Sequence, residues 1–351
     1  MSPDRHPAAL AVRDLRVEMR TRDGIVHPVD GVSFDIRRGR TLGLAGESGC
    51  GKTLTALALM RLLPRGRARI SGGSVLWSNG DGEPVDLATV GEQEVRRMRG
   101  RRLAMIFQDP AAALNPVFTV GEQIAEVSRL HLGLSRGKAM QQAARLLSRV
   151  GIADAARRAR EYPHQFSGGM QQRAMLAMAL AGEPAILIAD EPTTALDVTV
   201  QAQIVDLLRG IQSAGGMGML WVTHDLGVLA QVADEICVMY AGRIVERAPT
   251  RELFSHPLHP YTQALLACVP RLHRPAGGSG IPGSVPTPTD VPPGCRFHPR
   301  CALSRRRAAE AGAALSIEGP SGRVLRHCVD EIPVLRQARP EHWIACGEVA
   351  S

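Results

Sequence analysis

Aromatic residues supply only 3% of the 351 positions, and no apolar run approaches the ~20 residues that a membrane-spanning helix requires. The first scarcity speaks against nucleic-acid recognition, because the arginines are scattered rather than interleaved with aromatics. The net charge of +8 then reads as a solvated basic surface, or one facing anionic lipid headgroups. The second scarcity excludes a membrane span. The N-terminal residues carry no apolar core of a secretory signal, so the chain is expected to be cytoplasmic and soluble by itself. In a reducing compartment its seven cysteines argue against a disulfide framework and for thiols or metal ligands. The length allows two or three units, each able to bury a core.

What is present is organised around Gly46-Glu47-Ser48-Gly49-Cys50-Gly51-Lys52-Thr53, which fits the phosphate-loop pattern G-x-x-x-x-G-K-[ST]. Gly46 and Gly51 allow a tight turn that brings backbone N–H groups to phosphate oxygens. Lys52 is placed for the β- and γ-phosphates, and the Thr53 hydroxyl for Mg²⁺. Arg40–Ala45 before the loop reads as a buried strand, and Leu54–Leu63 after it as a helix stopped by Pro64. The chain therefore reads as nucleotide-binding.

Upstream, Leu10–Met19 and Val29–Ile36 read as two strands around the turn Arg22-Asp23-Gly24. Phe34 has the look of a strand core residue, which leaves His27 or an aliphatic contact for the base of a nucleotide. Gly72–Asp86 reads as a small hairpin and Glu92–Arg102 as an exposed helix. Leu103–Ile106 is a strand that ends at Gln108 and Pro110; alone, Gln108 is no more than a loop residue. Asn115–Gly151 is helical in pattern.

The second strong motif is Ser167-Gly168-Gly169-Met170-Gln171-Gln172. Ser167 is a good N-cap, and the glycines let backbone approach an anion at the N-terminus of a helix over Met170–Ala181. Ala185–Glu191 follows as a buried strand ending in two carboxylates. Beside a phosphate loop, Asp190 would hold Mg²⁺ and Glu191 would polarise the attacking water. Thr194–Asp197 reads as a turn, Val198–Gly210 as a helix and Gly218–Thr223 as a strand. His224 then sits at the strand's C-terminal end, where α/β sheets bind ligands. Ile236–Met239 and Arg243–Glu246 complete a hairpin.

In this order the pieces resemble the ATPase subunit of an ATP-binding cassette transporter over about residues 10–270. The resemblance implies an α/β phosphate-loop NTPase (RecA-like) core with an antiparallel β subdomain, a helical subdomain and a small cysteine-containing C-terminal region. The expected ATP-binding domain is 8–270 with a helical insertion at about 111–166, then a linker at 271–293 and the C-terminal region at 294–351. Leu114-Asn115-Pro116, Gly121–Ile124, His256–Thr262 and Val291–Cys295 narrow it to oligopeptide/dipeptide importers.

By that resemblance Glu191 is the catalytic base, His224 contacts the γ-phosphate, and Gln108 couples the site to the membrane partner while touching nucleotide and Mg²⁺. Asp197 works across a dimer interface. ATP lies between one chain's loop and the other chain's Ser167, Gly168, Gly169 and Gln171. Expected partners are two integral-membrane permease subunits, a second ATPase subunit in a heterodimer and an extracytoplasmic substrate-binding protein, at the cytoplasmic face of the membrane and without nucleic acid. The cargo is left among peptides, glutathione-like molecules and nickel chelates. The alternative is a soluble non-transport ATPase of similar core acting on nucleic acid or ribosomes.

Cys50, Cys237 and Cys268 read as packing residues. Cys295, Cys301, Cys328 and Cys346 match the importer tail, some members of which carry an iron–sulfur cluster. A cluster of the 4Fe-4S type is expected on them, with zinc or unligated thiols as rivals. The tail is read as having little core of its own, with the segment between Cys301 and Cys328 looping out.

Overall fold

The computed structural model describes residues 8–79, 83–193, 197–269, 280–319 and 322–349. The chain opens with β1 (Ala8–Thr21) and β2 (Gly24–Arg37), then β3 (Thr41–Ala45), α1 (Lys52–Leu59), β4 (Ala68–Trp77), β5 (Val85–Asp86) and α2 (Glu92–Met98). Next come β6 (Leu103–Ile106), α3 (Pro110–Ala113), α4 (Val120–Leu132), α5 (Arg136–Arg149), α6 (Ala155–Arg158), α7 (Gly168–Leu180) and β7 (Ile186–Asp190). They are followed by α8 (Val198–Gly215), β8 (Gly218–Thr223), α9 (Leu226–Val232), β9 (Glu235–Tyr240), β10 (Arg243–Pro249), α10 (Thr250–Ser255) and α11 (Pro260–Ala267). The tail holds α12 (Ala302–Glu310), β11 (Ser316–Gly319), β12 (Gly322–Leu325), α13 (Arg326–Asp330), β13 (Arg336–Arg339) and β14 (His342–Ile344).

Two compact units divide these elements. One is built mainly on Leu76–Val222 with Asp35–Thr41; the other takes Val12–Phe34, Leu42–Val75 and the chain from Thr223 onward.

In the first unit β6 and β8 flank β7 in parallel, and β7 is buried at every position. Near-continuous apolar runs such as Leu103–Ile106 and Ile186–Ala189 suit strands covered on both faces. α4 and α5 pack on each other and on α7. They form where one helical stretch was read, because the chain restarts in the middle. Thr119 and Glu122 make a capping box for α4, Gly133 closes it at a φ of 66°, and Ser135 precedes α5. α8 runs five residues past Gly210, because Ile211 is buried and Gln212 donates to the Thr41 hydroxyl at 2.8 Å. Its stop is Gly216, at a φ of 63°.

In the second unit β3 pairs in parallel with β9, and β9–β10–β14–β13 continue antiparallel. β2, β1 and β4 lie side by side in a separate sheet. In β1 the buried set slips from Leu10 and Val12 to Leu15 and Val17; Asp14, at a φ of 47°, takes up the extra residue. α1 starts at Lys52 and ends at Leu59, short of the expected Leu63: Arg61 turns left-handed at 51° and the Leu62 N–H closes on the Leu57 carbonyl.

The tail departs most from expectation. Ala308, Val324 and Leu325 are buried on α12 and β12, which pack on each other, while Phe297 is buried against Tyr240 and Tyr261 and Ile344 on the strand paired with β10. The segment between Cys301 and Cys328 does not loop out but folds as α12 against the β11–β12 hairpin. Short strands carrying Arg336 and Arg339 hide this from a composition reading. Of the expected linker, 271–279 lies outside the described residues. No helix among the described residues is long and apolar enough to cross a membrane.

Candidate active site

The phosphate loop leaves β3, whose five residues are all buried, and enters α1 through Gly51. Its glycines are demanded by space as much as by backbone angle. A Cβ on Gly46 would lie 2.2 Å from the Met239 carbonyl oxygen, and one on Gly51 2.2 Å from that of Pro28. Their φ angles, 151° and 108°, lie where only glycine is unstrained. Lys52 is buried, and its Nζ donates to the Gly46 carbonyl at 2.7 Å and the Glu47 carbonyl at 3.0 Å. The ammonium is thus folded back over the turn. Burial pushes the neighbouring Cys50 thiol up, although Lys52 opposes this, so Cys50 stays a neutral packing group. Thr53, on the first turn of α1, is exposed.

β7 carries the acidic pair. Asp190 and Glu191 are both buried, and Glu191 leaves the strand at a φ of 46°, where a residue with a side chain is strained. Its N–H donates to the Val222 carbonyl at 2.8 Å. Gln108 donates through Nε2 to Glu191 Oε2 at 3.3 Å, so the structure brings two expected site residues together from the ends of β6 and β7.

Ser167 caps α7, its hydroxyl accepting the Met170 N–H at 3.4 Å, and nothing would meet a Cβ on Gly168. Ser167 and Gly168 are exposed at the N-terminus of this thirteen-residue helix, the geometry that suits an anion, and Gly169, Met170 and Gln171 are half-buried behind them. The Gln171 amide donates to the Pro163 and Phe166 carbonyls, and so braces the turn into the helix. Gln172, whose part the sequence did not reveal, is buried and donates to the Pro192 carbonyl at 2.6 Å, tying α7 to the turn just after Glu191. Of the turn read at Thr194–Asp197, Thr194–Leu196 lies outside the described residues; Asp197 caps α8 by accepting the Val200 N–H at 3.0 Å. His224 is exposed after β8, immediately before Asp225, which caps α9. Phe34 is buried in β2 and His27 is exposed.

The iron–sulfur expectation is overturned. Cys295, Cys301, Cys328 and Cys346 do line one cavity, of about 50 Å³. Yet among the described residues no group of three or more His, Cys, Asp or Glu side chains is disposed to hold a metal ion. Burial pushes the Cys295 thiol up to about 12 and the Cys328 thiol up to about 11, so both are neutral thiols in the metal-free cavity. The Cys301 sulfur accepts the Ser304 N–H, and Cys328 lies 3.5 Å from His327 Nε2. These are packing thiols. Cys268, read as one, is exposed instead.

The family model described as "ABC transporter" matches residues 29–194. That of the "Oligopeptide/dipeptide transporter, C-terminal region" matches residues 245–307. The chain is 50% identical over 302 residues to a putative peptide import ATP-binding protein of Brucella melitensis biotype 1, covering 84% of this chain and 89% of that one. It is 48% identical over 325 residues to another from Brucella abortus (strain 2308), covering 92% and 95%. The fold is similar to a dimeric ATP-binding cassette in a post-hydrolysis state bound to ADP and Pi. That match has a TM-score of 0.61 and 24% identity, over 69% of this chain and 99% of that one. It is also similar to cbiO1 from Clostridium perfringens, part of the ABC transporter complex cbiONQ, with a TM-score of 0.58 and 26% identity over 71% and 91%.

Proposed function

Because this chain belongs to the peptide-import ATP-binding proteins of the ABC transporters, we propose the following assignment of its site residues, partners and place in the cell. The chain itself is an ABC-type ATPase that energises import. Its phosphate loop is the observation that carries the residue assignment, since Gly46 and Gly51 have no room for a Cβ and Lys52 is buried with its charge folded over the turn. Backbone N–H groups of Gly46–Thr53 cradle the phosphates, and Lys52 swings from the loop carbonyls to the β- and γ-phosphates.

The Thr53 hydroxyl, the Asp190 carboxylate and the Gln108 amide are oxygen donors of the kind Mg²⁺ requires, and we assign them to it. When bound, the ion neutralises charge on the phosphates. Glu191 takes a proton from the attacking water, and Gln108 holds its carboxylate in place. His224 meets the γ-phosphate. Ser167, Gly168, Gly169 and Gln171 complete the ATP site of a second cassette, and Asp197 borders the same interface. Closure of two cassettes around ATP shifts the population of the assembly.

The partners are two integral-membrane permease subunits, a second ATPase and an extracytoplasmic substrate-binding protein. The chain sits peripherally at the cytoplasmic face, and its cargo is a di- or oligopeptide. The match of its C-terminal region to peptide transporters disfavours the non-transport alternative. The test is reconstitution: ATPase activity of the chain should be low alone and rise when the permease and partner ATPase are added, because half of each site arrives in trans. Full activity from a strict monomer would contradict the arrangement.

A further inference from the structure

Glu47, the second residue of the phosphate loop, is held by all three of its polar groups. Its N–H donates to the Tyr261 hydroxyl at 2.9 Å. Its carbonyl accepts Lys52 Nζ at 3.0 Å. Its carboxylate takes a fork from Arg300, with Nη1 to Oε2 at 2.8 Å and Nη2 to Oε1 at 3.0 Å.

Arg300 is itself fixed. It is buried; Nε donates to the Pro282 carbonyl at 2.9 Å and Nη2 to that of Ile281 at 3.0 Å, and Nη1 reaches the Tyr240 hydroxyl at 3.3 Å. Tyr261 is fully buried, its ring packed on Tyr240 and Phe297. A forked Arg–carboxylate pair fixes orientation as well as distance, which a lysine or a single hydrogen bond does not.

We propose that Arg300 is a positioning residue for ATP: with Tyr261, it sets the shape of the phosphate loop through Glu47. The C-terminal region thereby acts on nucleotide affinity, a role that rests on the nucleotide-site reading above. The peptide N-terminal to Glu47 cannot turn without breaking the Tyr261 bond, and the Glu47 side chain cannot move away without breaking the Arg300 fork, and neither bond involves Lys52. The loop's remaining N–H groups are therefore held in one arrangement before ATP arrives, and the ordering cost of binding falls.

The test uses the full chain, with ATP and Mg²⁺ titrated by calorimetry, and kinetics in the assembled transporter. Arg300→Gln should weaken ATP binding and raise KM about tenfold, with kcat within about twofold, the pattern of a binding-loop defect. Glu47→Gln probes the same pair from the loop side and should give the same shift. The double variant should be no worse than either single one. Unchanged ATP affinity in both single variants, with only the melting temperature lowered, would overturn the proposal, as would additive losses in the double variant. Lys52→Ala serves as the separate control. If it too left ATP binding intact, the nucleotide-site reading would fall; if it alone abolished binding, only the role of Arg300 would.

Discussion

The side-chain amide of Gln108 donates to the Glu191 carboxylate across 3.3 Å, joining the ends of β6 and β7. Glu191 reaches that position only because its backbone leaves the strand in the left-handed region, at 46°. A strained carboxylate held by a neutral donor is fixed in direction without gaining a competing charge. Replacing Gln108 with Leu should therefore slow hydrolysis by about tenfold or more and alter ATP affinity far less. Steady-state ATPase kinetics beside ATP titration of the same variant checks this; weakened ATP binding with turnover at saturating ATP unchanged would assign Gln108 to binding alone.

Ser167→Arg should act on the partner cassette's ATP rather than on its own phosphate loop. Losing the N-cap of α7 should cost about 1 kcal/mol of stability. ATPase activity of the assembled transporter should nevertheless be nearly lost while ATP binding by the isolated chain persists. Normal activity in the assembly would rule out the head-to-tail arrangement.

Acid should destabilise the second unit through His259. Burial holds this imidazole down at about 4, and its Nδ1 accepts the Tyr261 N–H at 3.0 Å, so the folded state keeps it neutral. The unfolded chain takes up the proton nearer 6.5, so stability is complete above that value and falls as pH drops toward 4, by on the order of 3 kcal/mol. His259→Asn keeps an acceptor for the Tyr261 N–H and should flatten this slope. Urea melts at pH 7 and pH 4.5 measure both proteins; parallel losses in each would remove His259 as the cause.

Iodoacetamide at pH 8 should label Cys268 first, because it is exposed. Cys295 and Cys328, raised to about 12 and about 11 by burial, should react far more slowly. Peptide mapping against time reads the order. Faster labelling of either tail thiol than of Cys268 would contradict the packing role given to them.

Much of this was open to sequence reading, and the boundary is physical. The phosphate loop, the Ser167 cap and the strand ending in Asp190 and Glu191 are local patterns, in which spacing along the chain dictates geometry. So is β8, read with its observed bounds, Gly218–Thr223. The Arg300–Glu47 pair joins residues 253 positions apart, and no periodicity announces it. Gln172 was visible as a residue of the motif, but its bond to Pro192 depends on tertiary packing of α7. The tail was misread because cysteine spacing suggested a metal where Phe297 and Ile344 are buried against Tyr240, Tyr261 and β10. Four thiols around one cavity and four ligands around one ion look the same in a sequence.

The most direct test of the account is Glu191→Gln, which keeps the shape of the β7 terminus and removes the base. ATP binding measured by calorimetry should stay within about threefold of the parent, while ATP turnover in the reconstituted transporter should fall by about 10²-fold or more. The variant should also accumulate as an ATP-bridged dimer, alone or with its partner ATPase. Turnover near the parental rate, with ATP bound normally, would show that Glu191 is not the residue that activates water.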